Sequence, residues 1–165
     1  MGLDFTLYKK KKELSIREFY NQIEPMSFEE VEKNYELAYG RKSWELVYIL
    51  STRKDVDEGY GILQEGKWES LMRKLEPIGN MLESIALAFN HQENQPDDYP
   101  DLVFTLEDKK LIADYEYWYN HTFMGSPYLG YQFSVGYMIS FWDARDKVRE
   151  VLKDPNYEVL MSISY

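Results

Sequence analysis

Both ends of this chain alternate with a two-residue period, and that constrains the fold more than anything between them. Leu3, Phe5 and Leu7 alternate with Asp4, Thr6 and Tyr8, while Tyr157, Val159, Met161, Ile163 and Tyr165 alternate with mostly polar neighbours. Such a period belongs to a half-buried strand. A strand at either end must satisfy its backbone amides and hide its apolar face, so each needs a neighbour. A third stretch, residues 34–39, puts Tyr35, Leu37 and Tyr39 on one face and ends at Gly40. The expected architecture is therefore α+β: a small, mainly antiparallel sheet containing residues 3–8, 34–39 and 159–164, covered by several helices.

Between these strands the apolar spacing is helical. Ile16, Phe19, Tyr20 and Ile23 recur before Pro25 closes the stretch, and Ser27 with Glu30 reads as a capping box opening a short helix. Over residues 43–51, Trp44, Val47 and Tyr48 share a stripe that Leu46, Ile49 and Leu50 widen, which predicts a helix deep in the core. Residues 55–66 are polar and hold Gly59, Gly61 and Gly66, so they read as a loop with a short strand at 60–63. The longest helical pattern covers 67–89; Pro77 inside it predicts a kink, or two helices meeting near Glu76. Thr105, with Asp108 three residues on, caps a helix reaching about Asn120. Ser134 opens a last long helix that stops before Pro155. Residues 90–101, with two prolines and four acids, lack an apolar stripe and read as an exposed connection too short to separate domains. Residues 1–165 are thus expected to form a single domain, without internal repeats.

Charge is uneven. The total is −10, yet residues 1–17 carry five basic residues (Lys9 to Lys12 and Arg17) against Asp4 and Glu13, a net +3 that leaves −13 for the remainder. A field of that sign repels nucleic-acid phosphates and attracts basic surfaces, so direct nucleic-acid binding is disfavoured. The chain has no cysteine, which excludes disulfides and cysteine-based metal or redox sites. No apolar run approaches the ~20 residues of a membrane span, and the lysines follow the first apolar residues instead of preceding them. A cytoplasmic, unprocessed protein without membrane contact is the expectation.

Few residues offer chemistry. His91 and His121 are the only histidines, and neither stands at zinc-ligand spacing from another. Asp97, Asp98 and Asp101 lack the glycine and glutamate by which a calcium loop turns and coordinates. Gly59-Tyr60-Gly61 is not followed by the lysine of a phosphate loop. Carboxylate pairs such as Glu29 with Glu30, or Asp114 with Glu116, are expected by chance among 29 acids, and solvated helix faces account for them. Accordingly no catalytic residue, metal or cofactor is assigned, and the chain is not read as an enzyme. The aromatic residues carry more information. Tyr117, Trp118 and Tyr119 are consecutive, so on a helix they point in three directions and some ring surface must stay outside the core. Tyrosine and tryptophan dominate interface hot spots, which makes residues 115–142 a candidate contact surface for a partner or a second copy.

Met1-Gly2-Leu3-Asp4-Phe5-Thr6-Leu7-Tyr8-Lys9-Lys10 resembles the opening of small bacteriophage and prophage proteins that begin Met-Gly-Leu-Asp-Met/Phe-x-Leu-Tyr, with basic residues after it. Those proteins continue with a Tyr-Trp-Arg-Lys segment entering a helix, which Tyr39-Gly40-Arg41-Lys42 partly matches, and residues 157–165 are similar to their closing strand. Where they place an asparagine and a histidine after Arg-Lys, this chain has Trp44 and Val47, so a site built on those two groups is absent here. The resemblance implies a phage accessory protein in the host cytoplasm.

Two functional expectations follow. The first is a protein that binds a basic or nucleic-acid-binding host protein, as an acidic inhibitor of a defence enzyme of the anti-CRISPR or DNA-mimic type. Its contact residues would be the acids Asp97, Asp98, Asp101, Asp114 and Glu116, with Tyr117, Trp118, Tyr128 and Tyr131 as aromatic anchors. The alternative is a small-molecule or nucleotide-binding protein or enzyme with an anion site near Arg41 and Lys42, where a helix start and two cations coincide.

Overall fold

Alternating residues at both ends pair directly with each other. In the computed structural model, which describes residues 3–41, 44–90, 105–122 and 131–164, strands β1 (Asp4–Lys11) and β4 (Tyr157–Ser164) form an unbroken antiparallel ladder from Asp4 opposite Ser164 to Lys11 opposite Tyr157. β2 (Glu36–Arg41) adds to the free edge of β1, with a bulge after Leu7, and the short β3 (Tyr60–Ile62) adds to β4. The order is β2-β1-β4-β3, so the chain's first and last strands lie at the centre.

Because side chains alternate across a sheet, that register gives the two faces different fates. Leu3, Phe5, Leu7, Val159, Met161 and Ile163 are buried on one face beneath a helical layer. That layer comprises α3 (Trp44–Leu50), α5 (Glu65–Leu75), α6 (Gly79–Asn90), α7 (Leu106–Thr122), α8 (Tyr131–Asp143) and α9 (Arg145–Lys153). Phe5 and Trp68 both meet the Phe141 ring, at centroid distances of 6.0 and 6.1 Å. α1 (Ile16–Ile23) and α2 (Phe28–Asn34) lie on the opposite face, where Phe19, Ile23 and Leu160 form a second, smaller core. They cover only part of it, and the uncovered part is a cleft. α8 also closes the outer edge of β2, with the Tyr39 and Tyr137 rings in edge contact at 6.0 Å, which keeps that edge from pairing elsewhere.

Several expectations from the sequence need correction. Residues 55–66 are not a loop throughout: Thr52 and Asp55 form a reciprocal capping box that starts α4 (Arg53–Glu58), and Gly59, at φ +82°, ends it before β3. α4 buries no residue, so it left no apolar stripe to read. Asp55 also packs where a Cβ on Gly61 would stand, 2.2 Å from its Oδ1, so this glycine admits the cap beside the strand. The last long helix starts at Tyr131 instead of Ser134 and is two helices. They meet at Ala144 without glycine or proline; Arg145 lays its guanidinium over the Trp142 ring and donates to the Trp142 carbonyl at 2.8 Å, satisfying the end of α8 where it breaks. Pro77 divides the long pattern as expected, into α5, a 3-10 turn (Glu76–Ile78) and α6. Thr105 and Asp108 cap α7 reciprocally.

The four-lysine block is not a uniform surface feature. Lys10 is 2% exposed: its ammonium pairs with Glu158 at 2.7 Å and donates to the carbonyls of Lys11 and Leu14, so all three of its donors are used. It ties the end of β1 to the turn before α1 and to β4. Among the described residues, no helix is long and apolar enough to cross a membrane.

Removing the carboxylate of this pair should cost more than removing the cation, because the ammonium left behind is buried whereas Glu158 reaches solvent. Glu158→Gln leaves a buried ammonium without its carboxylate and is expected to lose about 3 kcal/mol, the low end for a buried pair because Glu158 keeps 22% exposure. Lys10→Met, which fills the same space and leaves behind a carboxylate that reaches solvent, should lose less than Glu158→Gln. Urea denaturation of the two variants checks the contrast, and equal losses would contradict it.

Candidate functional site

The uncovered part of the sheet is built from residues far apart in sequence. Asp4, Thr6 and Tyr8 of β1 project alternately onto it, as do Ser162 and Ser164 of β4 and Glu36 and Tyr39 of β2. α2 forms the opposite wall with Glu32, and with Phe28, whose ring is 77% exposed at the rim. α2 stands there because Ser27 Oγ accepts the Glu30 amide at its N-terminus; Val31 and Tyr35 pack on the Phe19 cluster and hold the helix against the sheet. Together these groups enclose about 470 Å³. That lies within the span of about 300–1,000 Å³ usual for ligand sites.

Among the described residues, three carboxylates, three aromatic rings and three aliphatic hydroxyls line this cleft, and no lysine or arginine does. Its electrostatics follow from the crowding. Burial, then the neighbouring Glu32, push Glu36 above the usual carboxylate range. Burial and Glu36 raise the Tyr8 phenol. Tyr39 is pushed up to about 12 by burial and by its hydrogen bond to Asp4, at 2.8 Å, so it stays a neutral donor at any ordinary pH. Arg41, just beyond, stands 3.7 Å from Asp4. A cleft of this kind suits a cation with an apolar stem: rings take the stem and the charge face-on, while carboxylates take the charge edge-on.

The residues expected to form the contact surface are only partly brought together. Asp114, Glu116 and Tyr117 lie exposed on α7; Tyr117 is 66% exposed and stacks on His121 with centroids 4.0 Å apart. Trp118 is half-buried against the core, and Tyr115 and Tyr119 are fully inside. The three-way splay of consecutive aromatics is therefore realised, with one exposed ring. Asp97, Asp98, Asp101 and Tyr128 lie outside the described residues, as does the Tyr131 side chain at the start of α8. For the alternative anion site, Arg41 ends β2 beside Asp4, and Lys42 lies outside the described residues. The cleft residues themselves were not singled out from the sequence; alternation places Asp4, Thr6 and Tyr8 on one face, but nothing local says that α2 leaves that part of the face open.

Glu36 offers a direct check on the cleft's electrostatics. A carboxyl whose folded pKa lies above its unfolded value is ionised at a cost to stability at neutral pH, and that cost vanishes once the pH falls below the unfolded value. Glu36→Gln should therefore raise the urea midpoint at pH 7 and leave it unchanged at about pH 3, below the ordinary glutamate value of about 4.3. A midpoint that is unchanged or lower at pH 7 would contradict the assignment.

No protein-family model matches this chain, and no curated protein or solved structure matches it significantly.

Proposed function

We propose that this chain is a phage accessory protein that acts in the host cytoplasm by binding a basic, nucleic-acid-binding host protein and inhibiting it, with carboxylates standing where nucleic-acid phosphates would otherwise sit. The observation that carries this reading is the cleft: Asp4, Glu32 and Glu36 share a concave, ring-lined surface that, among the described residues, no lysine or arginine lines. Burial makes the Glu36 charge costly to the folded state, and a cation brought by another molecule offsets that cost. The net charge of −10 steers a basic partner towards the protein before any contact forms. Asp114, Glu116 and Tyr117 on α7 supply a second acidic and aromatic surface. The resemblance of residues 1–10 to phage openings supports the biological setting.

An arrangement of this kind predicts displacement of nucleic acid. Added to complexes between DNA and host defence nucleases in a gel-shift assay at low salt, the protein should release DNA from its target, and raising the salt should suppress the effect. Glu32→Gln with Glu36→Gln should raise the amount needed about tenfold or more, in keeping with truncated charge contacts of 2 kcal/mol or above. Because Glu36→Gln is itself expected to stabilise the fold, unfolding would not explain such a loss. Failure to bind or displace at low salt across the nucleases of the host would overturn the reading.

A further inference from the structure

Three lysines of the four-lysine block serve neither the fold nor the acidic cleft. Lys10 turns inward to Glu158, while Lys9, Lys11 and Lys12 remain at the far end of the β1–β4 ladder. None of these three has an ion-pair partner among the described residues, although acids outnumber bases 29 to 19 in the chain. Three like charges held together on a short strand end repel one another, and dispersing them would relieve that repulsion.

Two adjoining cavities open at this end. One, of about 460 Å³, is lined by Lys11, Lys12, Glu13, Pro155, Asn156 and Tyr157. The other, of about 290 Å³, shares Lys11 and Tyr157 and adds Lys9, Phe19, Gln22, Asn34 and Tyr35 among its lining. The walls are firmly placed. Lys12 N donates to the Asn156 carbonyl at 2.9 Å, Lys9 N to the Tyr35 carbonyl at 2.7 Å, and the Lys9 ammonium lies 4.3 Å from the centre of the Tyr157 ring. Among the described residues, Glu13 is the only carboxylate lining either cavity, against three ammonium groups.

From this arrangement we infer that the lysine end is a binding site for a nucleoside phosphate, distinct from the acidic cleft and independent of the proposed inhibition. Ammonium groups of Lys9, Lys11 and Lys12 supply point charges for the phosphates. Drawing the Lys9 ammonium off the Tyr157 ring onto a phosphate would free that ring face to stack a base. The side-chain amides of Asn34, Asn156 and Gln22 each carry both a donor and an acceptor, which is what reading the edge of a base requires. This puts the anion site at the opposite end of β1 from Arg41, which pairs with Asp4 near the start of that strand.

Amide NMR spectra of the full chain, titrated with ATP, inorganic phosphate and adenosine without metal, test the inference. ATP should shift the amides of residues 9–13 and the 156–157 pair saturably, phosphate should move the same amides more weakly, and adenosine more weakly still. Lys11→Gln with Lys12→Gln replaces two exposed side chains, so the parent spectrum should persist while ATP affinity falls about tenfold or more. Tyr157→Leu should lower ATP affinity without changing that for phosphate, and Tyr157→Phe should restore it. The inference is overturned by the absence of saturable shifts, by shifts centred elsewhere, by full ATP affinity in the double lysine variant, or by phosphate binding as tightly as ATP.

Discussion

The pairing of β1 with β4 is the constraint on which the rest depends. It joins the two ends of the described chain in one continuous ladder, so every helix is contained in the loop it closes. Closing a loop of that length costs chain entropy that only burial can offset, and the return lies in Phe5, Leu7, Val159 and Met161, all fully buried on the helical side. A slip of one residue in this ladder would turn those four outward and bring Thr6, Tyr8 and Ser162 into the core. The same register therefore secures the core and creates the polar cleft on the other face.

Sequence alternation made the terminal strands legible, and proline sterics the break at Pro77, because each rests on a local signal. Features that depend on what covers what were not legible. The Ala144 break is stabilised by a guanidinium over Trp142 and carries no turn residue. α4 has caps at both ends and no apolar stripe, so the polar composition of the segment concealed a helix. Nothing local in the sequence separates Lys10 from Lys9, Lys11 and Lys12, and only Glu158 and the turn carbonyls, reached through tertiary pairing, make its burial tolerable. The cleft was invisible for the same reason: its walls come from β1, β2, β4 and α2, and their meeting is a property of the register and not of any short motif. In α7, by contrast, the splay of Tyr117, Trp118 and Tyr119 was readable, since helix geometry alone sends consecutive side chains apart.

Charge segregation along β1 follows from how the ladder is covered. At its beginning, Asp4 joins Glu32 and Glu36 in a cleft that α2 overhangs; at its end, Lys9, Lys11 and Lys12 gather where the chain turns towards α1. Had the two groups met, they would have neutralised one another in weak surface pairs of about 0–1 kcal/mol each. Held instead on a rigid strand, neither can collapse onto the other, and both stay available to a charged molecule from outside. Rigid separation of this sort would lower the ordering cost of any recognition, because the charges are placed before contact. Strand β1 thus does for the two surfaces what its ladder with β4 does for the fold: one register sets which groups are buried, which are paired with each other, and which face solvent.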